Sequence, residues 1–192
     1  SCRHALLAVA LLFFSGTTMA RRYPDGNYAL SAQDSKVAAK VAYFGMGHKT
    51  VTFPAITGEF QYRASGATTF DLLVTADATK LDAGGGSDDE MLKSDDFFHA
   101  DRFRDVTYHG TRLTFTGARS AVVEGTLTVR GISKPLSLKA EFAQPLADMI
   151  RAGQLDLTAT ARFKRSSYGM KAWPVVVGDR VALSINARFV RD

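Results

Sequence analysis

The sequence predicts an all-β fold, on three observations. Most of the chain after residue 20 alternates apolar and polar residues with period two. Gly-containing breaks separate most of these runs, and no long stretch carries a helical period. Because successive strand side chains point to opposite faces, each run has one apolar and one polar face. Residues 125–142 show this most plainly. Leu127 and Val129 alternate with Thr126, Thr128 and Arg130, and Leu136, Leu138, Ala140 and Phe142 alternate with Ser137, Lys139 and Glu141. The intervening Gly131-Ile132-Ser133-Lys134-Pro135 supplies Gly and Pro for a reversal, so the stretch reads as a hairpin wetted on one side.

The elements follow in order. Residues 1–20 have the form of an export leader. Arg3 gives a short positive start, Ala5 to Phe14 an uncharged apolar run, and Thr18-Met19-Ala20 a small-residue cleavage site. The run is too short for a stable transmembrane span, so cleavage after Ala20 is expected to leave one exported domain, residues 21–192. Strands are expected at 28–30, 36–44, 51–62, 70–77, 106–109, 113–116, 121–130, 136–142, 154–164 and 180–190. The last is the cleanest, with Val181, Leu183, Ile185, Ala187 and Phe189 on one face. Such a series argues for an antiparallel sandwich or barrel.

Two segments break the pattern. Residues 82–100 open on a Gly run, then offer Ser87 as a helix N-cap with Glu90 at capping-box spacing. Met91, Leu92, Phe97 and Phe98 give this short helix and its exit an apolar side. Residues 165–178 hold Trp173, the only tryptophan, in a loop-like setting. Aromatics on such long connections either pack beneath them or flank the mouth of a barrel.

The only cysteine, Cys2, lies in the expected leader, so the exported domain would have neither thiol nor disulfide. That usage fits a bacterial periplasm and a core that stabilises itself. The net charge of +5 is spread along the chain, with no basic stripe interleaved with aromatics, so nucleic acid is not an expected partner. His48, His99 and His109 show no His-x-x-Glu-His spacing, and no Gly-x-Ser-x-Gly elbow occurs, so neither catalysis nor a cofactor is expected. The acidic group Asp88-Asp89-Glu90 lacks EF-hand spacing, and His99-Ala100-Asp101 would be half a metal site at most.

Four segments then carry a resemblance to a known family. Met91-Leu92-Lys93-Ser94-Asp95-Asp96-Phe97-Phe98 resembles a Leu-(Lys/Arg)-Ser-x-x-Phe-Phe signature. The segment from Gly125 to Pro135 is similar to Gly-x-Leu-Thr-x-(Arg/Lys)-Gly-(Val/Ile)-(Ser/Thr)-(Lys/Arg)-Pro. Arg165-Ser166-Ser167-Tyr168-Gly169-Met170 resembles Arg-Ser-x-(Phe/Tyr)-Gly-(Met/Leu), and Gly178-Asp179-Arg180-Val181 resembles the Gly-Asp-x-Val entry to a final strand. Together, from about Tyr28 to Phe189, they resemble the YceI-like family of periplasmic lipid-binding proteins. Departures are Asp34-Ser35 where a His-Ser pair is common, Tyr43 where a His is common, His99 after the Phe pair, and Arg104 in place of a Pro.

The resemblance implies an extended antiparallel lipocalin-like barrel of about eight strands, with a short helix in the 87–98 region. It also implies a polyisoprenoid or other long-chain lipid as partner, held without catalysis. On that reading Leu127, Val129, Leu183, Ile185 and Met170 line the cavity with Phe97 and Phe98, while Lys134, Arg165 and Tyr168 stand near the mouth. A homodimer and a transient contact with the inner membrane stay open as further partners. Two alternatives also remain: a solidly packed barrel acting in protein interaction or envelope stress, and a metal-dependent hydrolase.

Overall fold

The computed structural model describes residues 25–63 and 69–192; the expected leader and its cleavage site lie outside the described residues. Ten strands and two α-helices follow one another among the described residues. They are β1 (Gly26–Leu30), β2 (Lys36–Tyr43), β3 (Gly47–Phe53), β4 (Ile56–Arg63), β5 (Thr69–Asp77), α1 (Ser87–Lys93) and β6 (Asp105–Phe115). After these come β7 (Ser120–Val129), β8 (Ile132–Phe142), α2 (Leu146–Ala152), β9 (Gln154–Lys164) and β10 (Val177–Arg191). Every pairing is antiparallel, and β1 against β10 closes the sheet on itself.

The closed ring has eight strands, because two of them are broken. β1 and β2 lie end to end along one edge of β10: β1 pairs with Phe189 to Arg191, and β2 with residues from Val177 to Asn186. A 3₁₀ turn, Ala32–Asp34, separates them. Similarly β3 and β4 are one course interrupted at Pro54, which has no N–H for a ladder bond. The single strand expected at 51–62 is therefore split. Conversely, 106–109 and 113–116 join into β6, with a register shift between Gly110 and Arg112.

The hairpin at 125–142 turns more tightly than its sequence suggested. Arg130 and Gly131 alone form the reversal, both at positive φ (53° and 70°), and Val129 already faces Ile132. Two left-handed residues match the twist of the flanking strands, as in a type I′ turn. Ser133, Lys134 and Pro135 consequently belong to β8. Pro135 is tolerated because β8 gains its second neighbour, β9, only from Lys139 onward.

The capping box expected at Ser87 does not form. Ser87 is the first helical residue, after Gly86 at φ 62°, and no side chain caps the helix. Asp89 instead turns back on the Gly run, where its Oδ1 accepts the N–H groups of Ala83 (2.8 Å) and Gly85 (3.2 Å).

Up-and-down connectivity places the connections alternately at two ends of the barrel. One end holds the β6–β7 turn and α2, which the sequence reading missed. Pro145 precedes this helix and Gly153 follows it at φ 73°, while Leu146, Met149 and Ile150 point inward at helical spacing. They pack with Tyr28, Phe60, Leu155 and Phe189 and plug that end. Ile150→Ala should cost about 3 kcal/mol through the cavity it leaves. For a domain of this size that is a fall of about 6–12 °C in melting temperature by circular dichroism. The other end holds the β2–β3 turn, the α1 connection, the Arg130-Gly131 turn and the 165–176 connection.

Candidate ligand-binding lumen and its lid

Between plug and lid lies a cavity of about 140 Å³. One water needs only ~10–15 Å³, so the space is roomy by that measure. Its wall is built from the inward positions of the strands. Leu127 and Val129 come from β7, Leu138 from β8, and Leu183 and Ile185 from β10, with Phe60, Phe70 and Val74 opposite. Leu146 closes the floor, while Phe98 and Met170 close the roof. The wall is overwhelmingly hydrocarbon, and charged side chains are absent from it.

Tyr108 is the main polar side chain in the wall, and sequence reasoning did not single it out. Its ring lies across the facing pair Gly110 and Gly125. A Cβ on Gly125 would come within 2.8 Å of the ring and 2.4 Å of the His109 carbonyl oxygen. Its hydroxyl lies 3.1 Å from the Val123 carbonyl oxygen and 3.0 Å from that of Leu136, so its single proton is engaged within the wall. Burial, with a smaller contribution from Glu124, pushes its pKa well above the usual phenol value. The hydroxyl is therefore neutral at any physiological pH. The two glycines were the available sequence signal, since a facing Gly pair in a sheet leaves room for a ring.

The four signature segments 91–98, 125–135, 165–170 and 178–181 meet at the lid. Arg130 ties them together: its Nη1 donates to the carbonyl oxygens of Phe97 (2.9 Å) and Gly169 (3.1 Å). Arg165 is the second hub. It is buried, and its guanidinium donates to the carbonyls of Gly178 (3.0 Å), Met170 (2.6 Å) and Val177 (2.8 Å). Its charged plane sits 5.7 Å from the centre of the Phe97 ring. Burial lowers its pKa, and the negative charge of Asp179 opposes that shift. Asp179 in turn accepts the Ser166 N–H at 2.9 Å, which together with the Arg165 and Lys164 charges holds its carboxyl below the ordinary value.

The sequence-predicted residues thus separate into three groups. Leu127, Val129, Leu183, Ile185, Phe98 and Met170 line one cavity. Phe97, Arg165 and Tyr168 are buried in the lid above it and do not line it; Tyr168 packs edge-on against Phe163 at 5.4 Å. Lys134 is exposed on β8 and lies apart from both, although Leu127 of the wall is its cross-strand neighbour. The lid's arginine is consumed by main-chain carbonyls because a loop of this shape leaves its C=O groups without ladder partners.

β8 and β9 pair only between Lys139–Phe142 and Leu157–Thr160, then part toward the lid. Tyr168 and Met170, from the 3₁₀ turn Arg165–Tyr168 and its exit, pack with Leu136, Leu138 and Ala161 around that parting. The barrel wall is therefore completed there by side chains of the lid and not by a ladder.

Comparison with known proteins agrees with this architecture. The YceI-like domain matches residues 28–189. The UPF0312 protein Sputw3181_1309 of Shewanella sp. strain W3-18-1 is 26% identical over 167 residues, covering 87% of this chain and 85% of that protein. Among solved structures, Burkholderia cenocepacia BcnA superposes with a TM-score of 0.72 at 17% identity, covering 83% of this chain and 98% of BcnA. A polyisoprenoid binding domain from Saccharophagus degradans, implicated in plant cell wall breakdown, gives 0.66 at 11% identity, with coverages of 86% and 98%. At these identities the likeness to solved structures is one of fold, while the domain match spans nearly the whole described barrel. The chain belongs to the YceI-like family.

Proposed function

We propose that this chain is a periplasmic lipid-binding protein that holds a polyisoprenoid or other long-chain amphipathic lipid in its lumen, without catalysis. The observation that carries the reading is the lumen itself. It is a closed-ring cavity whose wall is overwhelmingly hydrocarbon and whose principal hydroxyl is spent on the wall's own carbonyls. The polyisoprenoid-binding relative of the same fold supports it, and the leader-like residues 1–20 support a location outside the cytoplasm.

Such a lumen selects by length. Each buried methylene contributes about 0.8 kcal/mol, while association costs on the order of 4–15 kcal/mol. A ten-carbon tail, at about 8 kcal/mol, falls within that cost, whereas a chain twice as long, at about 16 kcal/mol, passes its upper end. Binding of a homologous series of alkyl or prenyl alcohols should tighten about fourfold per methylene until the lumen is full. A head-group-driven site would instead show affinity independent of length.

The direct test is organic extraction of protein purified from the cell envelope, followed by mass spectrometry. A long-chain lipid at unit stoichiometry is the expected result. Repeated preparations with no lipid, together with failure to load a polyprenyl alcohol, would overturn the reading.

A further inference from the structure

Four large apolar side chains stand in solvent at the lid end of the barrel. Phe44 and Met46, on the β2–β3 turn, are 59% and 71% exposed; Trp173 and Val175, on the β9–β10 connection, are 52% and 82% exposed. The two loops are joined, since the Phe44 N–H donates to the Val176 carbonyl at 2.8 Å. Trp173 is held in the left-handed region at φ 56°, its carbonyl accepting the N–H groups of Val176 (3.0 Å) and Val177 (2.8 Å). A bulky residue resists that conformation, so a loop that adopts it to present an indole to water points to function. The outer wall below this tip is basic. Lys40 of β2 and Arg162 of β9 flank Ala182 of β10 in one cross-strand row, and Arg180 faces Lys164 in the next. Lys171 adds a fifth exposed cation, and none of the five belongs to an ion pair among the described residues. The acids Asp88, Asp89 and Glu90 of α1 lie beyond β3, where Lys49 meets Asp88, and Asp95, Asp96 and Asp101 follow them on the same connection, around Phe97. Asp179 precedes Arg180, and its carboxylate accepts the Ser166 N–H and feels the Lys164 charge.

We infer that this face docks on an anionic phospholipid bilayer, with the Phe44, Met46, Trp173 and Val175 tip entering the interface and the β9–β10–β2 wall resting on the head groups. Indole and phenyl rings favour the headgroup level, and exposed cations beside an apolar tip match the negative surface of such a membrane. That orientation brings the β2–β3 turn and the 165–176 connection, which carries Met170 of the cavity wall, against the bilayer and keeps the acidic α1 connection to the far side. The docking surface stands whether or not the lumen carries a lipid; a role in loading the lumen rests on the proposed function.

Trp173, as the only tryptophan, is the reporter. Its emission should shift to the blue when the full-length protein meets mixed phosphatidylglycerol–phosphatidylcholine vesicles, and brominated phosphatidylcholine should quench it. The paired changes Phe44→Ser with Met46→Ser, and Lys40→Glu with Lys164→Glu, should each weaken vesicle partitioning by about tenfold with the circular dichroism spectrum retained. High salt should weaken binding of the unmodified protein by screening the cations. Absence of both shift and quenching, or an emission shift without vesicles that tracks a doubling of mass, would overturn the inference, the latter by making a second copy the occupant. Loss of the lumen reading would show separately, as no lipid in the organic extract.

Discussion

Replacing Arg165 with Leu is expected to lower the melting temperature by about 6–12 °C and to speed exchange of any lumen ligand. The substitution keeps an apolar stem under Phe97 but removes the donors that serve the carbonyls of Gly178, Met170 and Val177. A buried acceptor left unmatched costs roughly 1–3 kcal/mol, so three cost at least about 3 kcal/mol. At this chain length each kcal/mol moves the midpoint by about 2–4 °C. Exchange should quicken because Met170, whose carbonyl Arg165 holds, also forms part of the cavity roof. Thermal denaturation, with stopped-flow displacement of a fluorescent polyprenyl analogue, measures both effects. Arg165→Lys should not rescue, because an ammonium lacks the planar fork that reaches three carbonyls at once. Lys134→Ala is the matched control. That residue is exposed and should change stability by less than about 0.5 kcal/mol. If Arg165→Leu behaved like Lys134→Ala, the lid would not depend on its buried arginine.

Gly125→Ala is expected to destabilise the barrel by about 3 kcal/mol, for a different reason. Gly125 has no unusual backbone demand; it is glycine because of what faces it. Its Cβ would meet the His109 carbonyl oxygen at 2.4 Å, and the Gly110 Cα and the Tyr108 ring each at 2.8 Å. Two of those contacts are backbone, which cannot swing aside, so β6 and β7 would have to separate. Tyr108→Leu would relieve the ring contact while leaving the backbone ones. The double variant should therefore recover only part of the loss, and urea denaturation of the cycle measures the share. Full recovery would show that the ring alone requires the glycine.

Much of the barrel could be read from alternation. The strand β10 was legible over 180–190, though not in its irregular start at Val177, because Val181, Leu183, Ile185, Ala187 and Phe189 repeat at period two and face one interior. The breaks were less legible. Pro54 interrupts β3–β4, whereas Pro135 continues β8, and the difference lies in whether a neighbouring strand needs the missing N–H. The helix α2 carried its own signals in Pro145, the Leu146–Met149–Ile150 spacing and Gly153. At Ser87 a sound local motif lost to a tertiary one, since Asp89 binds the Gly run and leaves no role for the capping box.

The cavity-lining residues were equally legible where they sit on strands. The polar candidates were not. Arg165 resembles a head-group ligand in sequence, because a cation on a long connection usually reaches solvent. In the folded chain it is surrounded by carbonyls of its own loop and of the start of β10. Arg130 reads in sequence as a polar residue of a strand, yet it sits in the turn and joins Phe97 to Gly169 across segments far apart in the chain.

By itself, then, the sequence determined that one face of nearly every strand avoids water, because side-chain alternation is a local, period-two property of the chain. Only the tertiary structure decided that β1 meets β10, that the enclosed face leaves a cavity, and that the lid's arginines serve the backbone. Those outcomes depend on which distant groups share a place, and hydrogen bonding and packing among them are fixed only when the ring closes.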